Sequence, residues 1–293
     1  MDGIIVGIGE ALWDLLPQGM KLGGAPANFA YHVSQFGLRS CVISAVGDDS
    51  LGREILDTFA AKAFDSQVQI VPYPTGTVQV EVDADGVPRY DIKEEVAWDN
   101  IQFLDEFKEY AAQTIAVCFG SLAQRSEVSR RTIKQFIESM PQGQNRLVVF
   151  DVNLRQNFYT KEIIHQSLKL CNILKINDEE LETVSLMLGL NGMSPEEQCR
   201  ELVSKYNLKI LILTCGVNGS YVYTAEMKSF QPTPQVVVAD TVGAGDSFTA
   251  AFISSIIKGK SIAEAHSMAV KTSAYVCSQK GAMPILPAEL TAN

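Results

Sequence analysis

Six short runs of almost continuously apolar residues constrain the fold of this chain more than any other feature. Runs of this kind, bounded by polar or glycine-rich segments, are typical of buried strands. Strands that are apolar on both faces are typical of parallel sheets that helices cover on each side. The runs lie at residues 3–9, 40–47, 114–121, 146–153, 171–177 and 208–216.

The segments between these runs carry the signals of helices. Ser194 with Glu197 and Ser261 with Glu264 have the spacing of capping boxes, which mark helix N-termini. Strand and helix patterns that alternate along a chain predict a doubly wound α/β fold, with a mainly parallel sheet and helices on both faces. The length, 293 residues, allows one large domain or two ordinary ones.

Residues 74–92 break this alternation of strands and helices. In this segment valines alternate with polar residues, which is the period of a half-buried strand. Asp85-Gly86 is a turn signal within it. The segment therefore predicts a small antiparallel β-hairpin, too small to fold alone, that acts as a lid or as a dimer contact.

Composition and charge exclude several classes of partner. Apolar residues make up 46% of the chain and charged residues 20%, as in an ordinary globular protein. The formal net charge of -10 argues against a nucleic-acid partner and against binding to an anionic membrane. We recognise no signal peptide, and no apolar run approaches the roughly 18 residues that span a bilayer. The six cysteines are scattered and form no CxxC pair, so we expect a reducing, cytoplasmic location.

Polar stretches follow four of the apolar runs directly. Their sequences are GEALWD, DVNLR, NDEE and TCG. Ligands of open α/β sheets bind at the carboxyl ends of the strands, and all four stretches reach that edge if their strands are parallel. The pattern favours an active site over a purely structural domain.

The stretch VVVADTVGAGDSFTAAF, residues 236–252, joins an apolar run to a predicted helix. Gly243 and Gly245 would lie at the helix N-terminus, where the first N–H groups have no partner and the helix dipole favours an anion. Without side chains there, a phosphate can approach the backbone closely. Asp246 would also suit a simple helix cap, but a cap does not require the glycines. We interpret Asp246 as the acceptor of a proton from a hydroxyl that attacks phosphorus.

Two shorter patterns resemble other nucleotide-binding motifs and fail in detail. GIGEAL has two glycines of a dinucleotide-binding fingerprint, but Leu12 occupies the position of the third. KGKS resembles the end of a P-loop, but Ser254 stands where that motif needs glycine. A dehydrogenase is therefore the least favoured alternative.

Two long motifs resemble the signatures of the ribokinase-like, or phosphofructokinase-B, family of carbohydrate kinases. They are GGAPANFAYHVSQFGLRSCVISAVG, residues 23–47, and DTVGAGDSFTAAF. GEALWD, DVNLR and the hairpin segment followed by AWD look most like bacterial fructokinases. The resemblance implies a single kinase domain over residues 1–293, with the hairpin lid inserted at about 74–97.

The resemblance also implies roles for individual residues at the sugar and phosphate sites. It identifies Asp246 with the catalytic base. The residues it assigns to the anion hole are Gly243, Ala244 and Gly245. The residues it assigns to sugar binding are Asp14, Gly24 and Asn28. Asp14 as a turn residue and Asn28 as a polar residue of a helix's first turn stay open as alternatives.

Arg155 in DVNLR is a further candidate, a clamp on phosphate or sugar. Its guanidinium matches the geometry of phosphate oxygens. A surface salt bridge is the alternative for this side chain.

The cofactor residues follow from the resemblance in the same way. Asn177 and Glu180 resemble an element that holds Mg²⁺ largely through water, and a helix start rich in acids is the alternative. The loop that would bind nucleotide phosphate and ribose contains Thr214, Gly216 and Gly219, and a plain hairpin turn is the alternative. The backbone carbonyls that would hold a monovalent cation, K⁺, belong to Asp240, Val242 and Gly281.

We therefore expect an ATP-dependent, Mg²⁺-requiring enzyme that phosphorylates fructose to fructose 6-phosphate. Phosphorylation of 2-keto-3-deoxygluconate or of ribose is the alternative within the same chemistry. A sugar-binding regulator that has lost catalysis is the alternative from another class. A homodimer formed through the lid is a further expectation.

Overall fold

The computed structural model describes residues 3–16, 19–62, 64–82, 88–141, 143 and 146–291. The strands are β1 (Ile4–Ile8), β2 (Leu12–Leu16), β3 (Gly19–Gly23), β4 (Ser40–Gly47), β5 (Asp65–Val71), β6 (Gly76–Val82), β7 (Pro88–Ile92), β8 (Thr114–Phe119), β9 (Leu147–Asp151), β10 (Ile173–Asn177), β11 (Ile210–Thr214), β12 (Ser220–Tyr223) and β13 (Lys228–Gln231). The helices are α1 (Ala25–Gln35), α2 (Ser50–Ala61), α3 (Asp105–Gln113), α4 (Glu127–Ser139), α5 (Lys161–Leu170), α6 (Asp178–Leu188), α7 (Pro195–Tyr206), α8 (Ala244–Ile257), α9 (Ile262–Cys277) and α10 (Ala288–Thr291).

The larger sheet has the order β13-β12-β11-β10-β9-β8-β1-β4-β5 within the described residues. The pairs from β11 through to β5 are all parallel, and β12 and β13 add an antiparallel edge. Each of the six predicted apolar runs contains one of the parallel strands. The predicted doubly wound α/β fold is confirmed, and the carboxyl ends of seven parallel strands, β5 among them, meet at one edge.

Helices cover both faces of the larger sheet. In β9, Val148 and Phe150 contribute to one core cluster, and Leu147 and Val149 contribute to another on the opposite face. The first cluster takes its helical residues from α3 to α7, and the second takes them from α1, α8 and α9. Alternate residues of one strand are thus both buried, which explains the continuous apolar runs.

Helix α8 is buried on almost every side. Phe248, Ala251, Phe252, Ser255 and Ile256 recur at the spacing of one helical face, a pattern that predicts burial of that face alone. That expectation is too narrow, since every residue from 247 to 255 is buried. The helix packs against both α1 and α9. Small residues such as alanine and serine therefore occupy the buried sides of the helix that lie outside that face.

The predicted hairpin forms half of a second, four-stranded sheet with the order β3-β2-β6-β7, which we call the lid sheet. Strands β6 and β7 pair antiparallel as predicted, and the predicted turn at Asp85-Gly86 lies outside the described residues. Strands β2 and β3 were not predicted, and β2 runs parallel to β6. Asp14 consequently lies within a strand of the lid sheet and not in a turn.

The helix N-termini follow the predicted signals. Ser194 with Glu197 and Ser261 with Glu264 form capping boxes at α7 and α9. No helix in the described ranges has the length and apolar character that crossing a membrane requires.

Candidate active site

A cavity of about 1330 Å³ opens at the carboxyl ends of the strands, beneath the lid sheet. Its wall combines the ends of β9, β10 and β11 with the first turn of α8 and with β2 and β6 of the lid sheet. The residues predicted for the site that line this cavity are Asp14, Gly24, Asn28, Arg155, Asn177, Glu180, Thr214, Gly216, Gly219, Val242, Gly243, Ala244, Gly245 and Asp246. Asp240 and Gly281 were predicted with them and lie outside this lining.

The first turn of α8 is open to a ligand because two glycines precede Asp246. Gly243 is the N-cap with a φ of 77°, and a Cβ there would lie 2.7 Å from Ala282. Ala244 N–H donates to the Thr241 carbonyl at 3.3 Å, so it is not available to a ligand in this geometry. The N–H groups of Gly245 and Asp246 have no acceptor among the described residues. With the N–H group of Gly243, which also has no acceptor among the described residues, the open anion site consists of three N–H groups.

Asp246 does not cap its own helix. The side chain makes no cap hydrogen bond, and its Oδ2 accepts from Asn28 Nδ2 at 2.8 Å. Burial raises the pKa of Asp246 to about 6, and the nearby Asp151 carboxylate adds to this, while Asn28 and the Lys175 ammonium act against it. A carboxylate with such a pKa is ionised at neutral pH and is a better proton acceptor than an ordinary aspartate.

Lys175 and Asp151 form a buried ion pair under the first turn of α8. Lys175 Nζ lies 3.1 Å from Asp151 Oδ1, and the residues are 8% and 4% exposed. A Cβ on Gly245 would lie 3.0 Å from Lys175 Nζ, so the missing side chain leaves the ammonium close to the helix start. Burial lowers the pKa of Lys175, but Asp151, Glu180 and Asp246 outweigh burial and raise it overall. The sequence analysis missed Lys175, although a lysine inside an apolar run was a signal.

Two carboxyl groups, those of Glu10 and Asp14 in the N-terminal part of the chain, line the cavity near Asn28. Burial raises the pKa of Asp14 to about 6, against the opposing effects of Arg155 and Lys21. Glu10, which was not predicted, is 1% exposed, and burial raises its pKa to about 7. Its Oε2 has no hydrogen-bond partner among the described residues. This part of the cavity therefore presents hydrogen-bond acceptors to hydroxyl groups.

Asn177 and Glu180 form the N-terminal capping box of α6. Asn177 Oδ1 accepts from Glu180 N–H at 2.8 Å, and Glu180 Oε2 accepts from Asn177 N–H at 2.9 Å. Glu180 Oε1 accepts from Leu154 N–H at 3.0 Å. Each carboxylate oxygen keeps a second lone pair, so these residues fit Mg²⁺ held through water. The described ranges contain no cluster of three acidic, histidine or cysteine side chains that would hold a metal directly.

Another part of the cavity wall is apolar. The turn from Thr214 to Gly219 joins β11 to β12 and also lines the cavity. The apolar side chains there belong to Val217, Val236, Val238, Val270, Ala274 and Cys277. Such a slot beside an anion site suits the flat base of a nucleotide.

Asp240, Val242 and Gly281 lie together at the edge of the cavity, and of the three only Val242 lines it. The Asp240 carboxylate accepts from the N–H groups of Val242 and Gly281, each at 3.1 Å. The segments predicted to hold a monovalent cation therefore meet at one carboxylate.

We expect Asp246→Asn to raise the free energy of unfolding at pH 7.5 by about 1–3 kcal/mol. Folding raises the pKa of Asp246 from 3.8 to about 6, so protonation of this side chain stabilises the native state relative to the unfolded state. The ionised carboxylate then costs stability above pH 6, and this cost disappears towards pH 4. Urea unfolding at pH 7.5 and pH 4 measures the difference, with Asp105→Asn in the first turn of α3 as the control. An equal gain at both pH values, or no gain at pH 7.5, would contradict the expected electrostatics.

Several known proteins are similar to this chain in sequence or in fold. A fructokinase of Klebsiella pneumoniae is 28% identical over an alignment of 310 residues, which covers 98% of this chain and 97% of that protein. A sugar kinase of Pyrococcus horikoshii is 29% identical over 279 residues, covering 89% of this chain and 84% of that protein. The fructokinase of Vibrio cholerae O395, solved with fructose, ADP and calcium ion bound, has a TM-score of 0.81 at 25% identity. That alignment covers 99% of this chain and 98% of the solved one.

The family model described as pfkB family carbohydrate kinase matches residues 18–289, which is most of the sequence. Its match includes the open turn of α8, Asn28, and the Asn177–Glu180 box. This chain belongs to the pfkB family of carbohydrate kinases.

Proposed function

We propose that this chain transfers the γ-phosphoryl group of ATP to the primary hydroxyl at C6 of fructose. The observation that carries the proposal is the position of Asp246. It lies in the first turn of a buried helix, beside the unpaired N–H groups of Gly243 and Gly245, and bonds to Asn28 at 2.8 Å. A base, an anion site and polar groups for a sugar thus share one cavity, as phosphoryl transfer to a hydroxyl requires.

In this proposal the C6 hydroxyl donates a hydrogen bond to Asp246 Oδ1, because Oδ2 already accepts from Asn28. The hydroxyl oxygen then bonds to the γ-phosphorus, and its proton passes to Asp246. The bond from that phosphorus to the oxygen bridging the β-phosphate breaks, and ADP leaves. The pKa of about 6 keeps Asp246 ready to accept this proton at neutral pH.

The charge on the transferred group is stabilised from two sides. The N–H groups of Gly245 and Asp246 point out of the start of α8, where the helix dipole favours an anion. Lys175, below Gly245, supplies a fixed positive charge in a site of low water content. Both groups are in place before the sugar binds, so little reorganisation is needed during the reaction.

The cofactor assignments belong to the same proposal. Bound Mg²⁺ would neutralise part of the phosphate charge, and Asn177 and Glu180 would hold it through water. The apolar slot beside Val236 and Val270 would receive adenine. A K⁺ ion would lie beside Asp240, at the edge of the cavity.

The charges beside the proposed sugar contacts favour a neutral sugar over 2-keto-3-deoxygluconate. Glu10, Asp14 and Asp246 are three carboxyl groups that would repel an acid sugar. Two cations lie near Asp14: Lys21 is already paired with Asp240, and Arg155 faces more carboxyl groups than it can neutralise. The relatives named fructokinase support fructose over ribose as the neutral sugar.

We expect Asp246→Asn to lower kcat by about 10²–10⁴-fold, which is the usual contribution of general-base catalysis. A coupled assay of ADP release with fructose measures this loss. Asp105→Asn removes another first-turn acid, far from the cavity, and should leave kcat unchanged. A loss smaller than about tenfold in Asp246→Asn would exclude the base role. Sugar binding without ADP release from any sugar by the unmodified protein would support the inactive regulator instead.

We expect Asp14→Asn to raise the KM for fructose by about ten- to a hundredfold, because a hydrogen bond to a charged group is lost. The KM for ATP should stay within about twofold, since Asp14 is not among the residues proposed to contact the nucleotide. The same assay with ribose and 2-keto-3-deoxygluconate should give lower kcat/KM values than fructose for the unmodified protein. A higher kcat/KM for either would replace fructose as the proposed substrate.

A homodimer through the lid sheet is also part of the proposal. Strand β3 is an edge of that sheet, and Met20 on it is 45% exposed. Such an edge can pair with a strand of another chain, and a charged side chain blocks that pairing. We expect light scattering to give twice the chain mass of 32.0 kDa, and the single mass for Met20→Lys. A monomer in the unmodified protein would exclude the dimer.

A further inference from the structure

An ion pair joins the lid sheet to the loop that leads into α8. Lys21 in β3 has its Nζ 2.6 Å from Asp240 Oδ2, across 219 positions of sequence. The two side chains are 40% and 13% exposed, so Asp240 is largely shielded from solvent. Shielding reduces screening by water and salt, and the pair should therefore be stronger than an ordinary surface pair.

Asp240 also holds the backbone in front of the anion site. Its carboxylate accepts from Val242 N–H and from Gly281 N–H, each at 3.1 Å. Val242 directly precedes Gly243, the N-cap of α8. The carboxylate that binds Lys21 thus restrains the chain that presents the open N–H groups.

Lys21 also lies beside the proposed sugar contact. In the ladder between β2 and β3, Lys21 lies directly opposite Asp14. Paired strands move together because their hydrogen bonds fix the register. A sugar that binds Asp14 therefore also fixes the position of Lys21.

We propose that Lys21 is a positioning residue that couples sugar binding to the phosphate site by tying the lid sheet to Asp240. When the lid closes over a sugar, Lys21 reaches Asp240 and restrains the loop before α8. When the lid opens, that loop keeps its two backbone hydrogen bonds and loses the ammonium. The coupling rests on the proposed role of Asp14 as a sugar contact.

The lid sheet contains a matched control for this ion pair. Lys93, just after β7, lies 2.6 Å from Asp91, at the same distance as Lys21 from Asp240. That pair stays within the lid sheet region and does not reach the body of the protein. Lys93→Met therefore removes an equally short ion pair without touching the proposed coupling.

We expect Lys21→Met to lower kcat/KM for fructose by about tenfold, and to leave the dissociation constant of ATP within about twofold. Lys21→Arg should restore most of the loss because it keeps the positive charge, and Lys93→Met should behave as the unmodified protein. In an Asp240→Asn background Lys21→Met should have no further effect, as a double-mutant cycle requires of a coupled pair. Equal kcat/KM values for Lys21→Met and Lys93→Met would overturn the proposal.

Hydrogen exchange gives a readout that does not depend on catalysis. We expect fructose to slow amide exchange in the peptide containing Val242 and in that containing Gly281 in the unmodified protein. The slowing should be absent in Lys21→Met and present in Lys93→Met. Unchanged slowing in Lys21→Met would overturn the coupling.

The outcome for Asp14→Asn separates this inference from the proposed sugar site. If Asp14→Asn raises the KM for fructose and Lys21→Met leaves kcat/KM unchanged, the sugar site stands and the coupling is wrong. If Asp14→Asn leaves that KM unchanged, the assignment of Asp14 is wrong and the coupling through it is wrong as well.

Discussion

The proposed activity depends on the unpaired N–H groups at the N-terminus of α8. Because α8 is buried on almost every side, its first turn is fixed by the core and cannot retreat from the cavity. A side chain on Gly243 would clash with Ala282, and one on Gly245 would crowd the Lys175 ammonium. A rigid helix start of this kind holds its donors ready for an anion before any ligand arrives.

Several acidic side chains line the cavity. Glu10, Asp14 and Asp246 all have raised pKa values, mainly because burial disfavours their ionised forms. The Lys175 ammonium near Asp246 and the cations Arg155 and Lys21 near Asp14 oppose this effect without outweighing burial. Such an arrangement costs stability in the empty protein and gives a proton acceptor whose pKa suits neutral pH. The strain is electrostatic and is confined to the residues that face the ligand.

The sequence was sufficient for those parts of the fold that repeat a local pattern. The parallel strands and the capping boxes each follow from a few adjacent residues. Strands β2 and β3 escaped prediction because each is short and neither alternates strictly, so only their pairing with β6 reveals them. Lys175 and Glu10 were missed because their roles depend on burial beside carboxylates and backbone groups that are close in space but distant in the sequence. The pairing of Lys21 with Asp240 crosses 219 positions and depends on how the lid sheet lies over the body.

A crystal structure with ADP, aluminium fluoride and fructose tests the central assignment most directly, because planar aluminium fluoride imitates a phosphoryl group in transfer. The account predicts fluoride ligands within about 3 Å of the N–H groups of Gly245 and Asp246. It also predicts the C6 oxygen of fructose between aluminium and Asp246 Oδ1. Aluminium fluoride bound away from the start of α8, or a C6 hydroxyl out of reach of Asp246, would contradict the account.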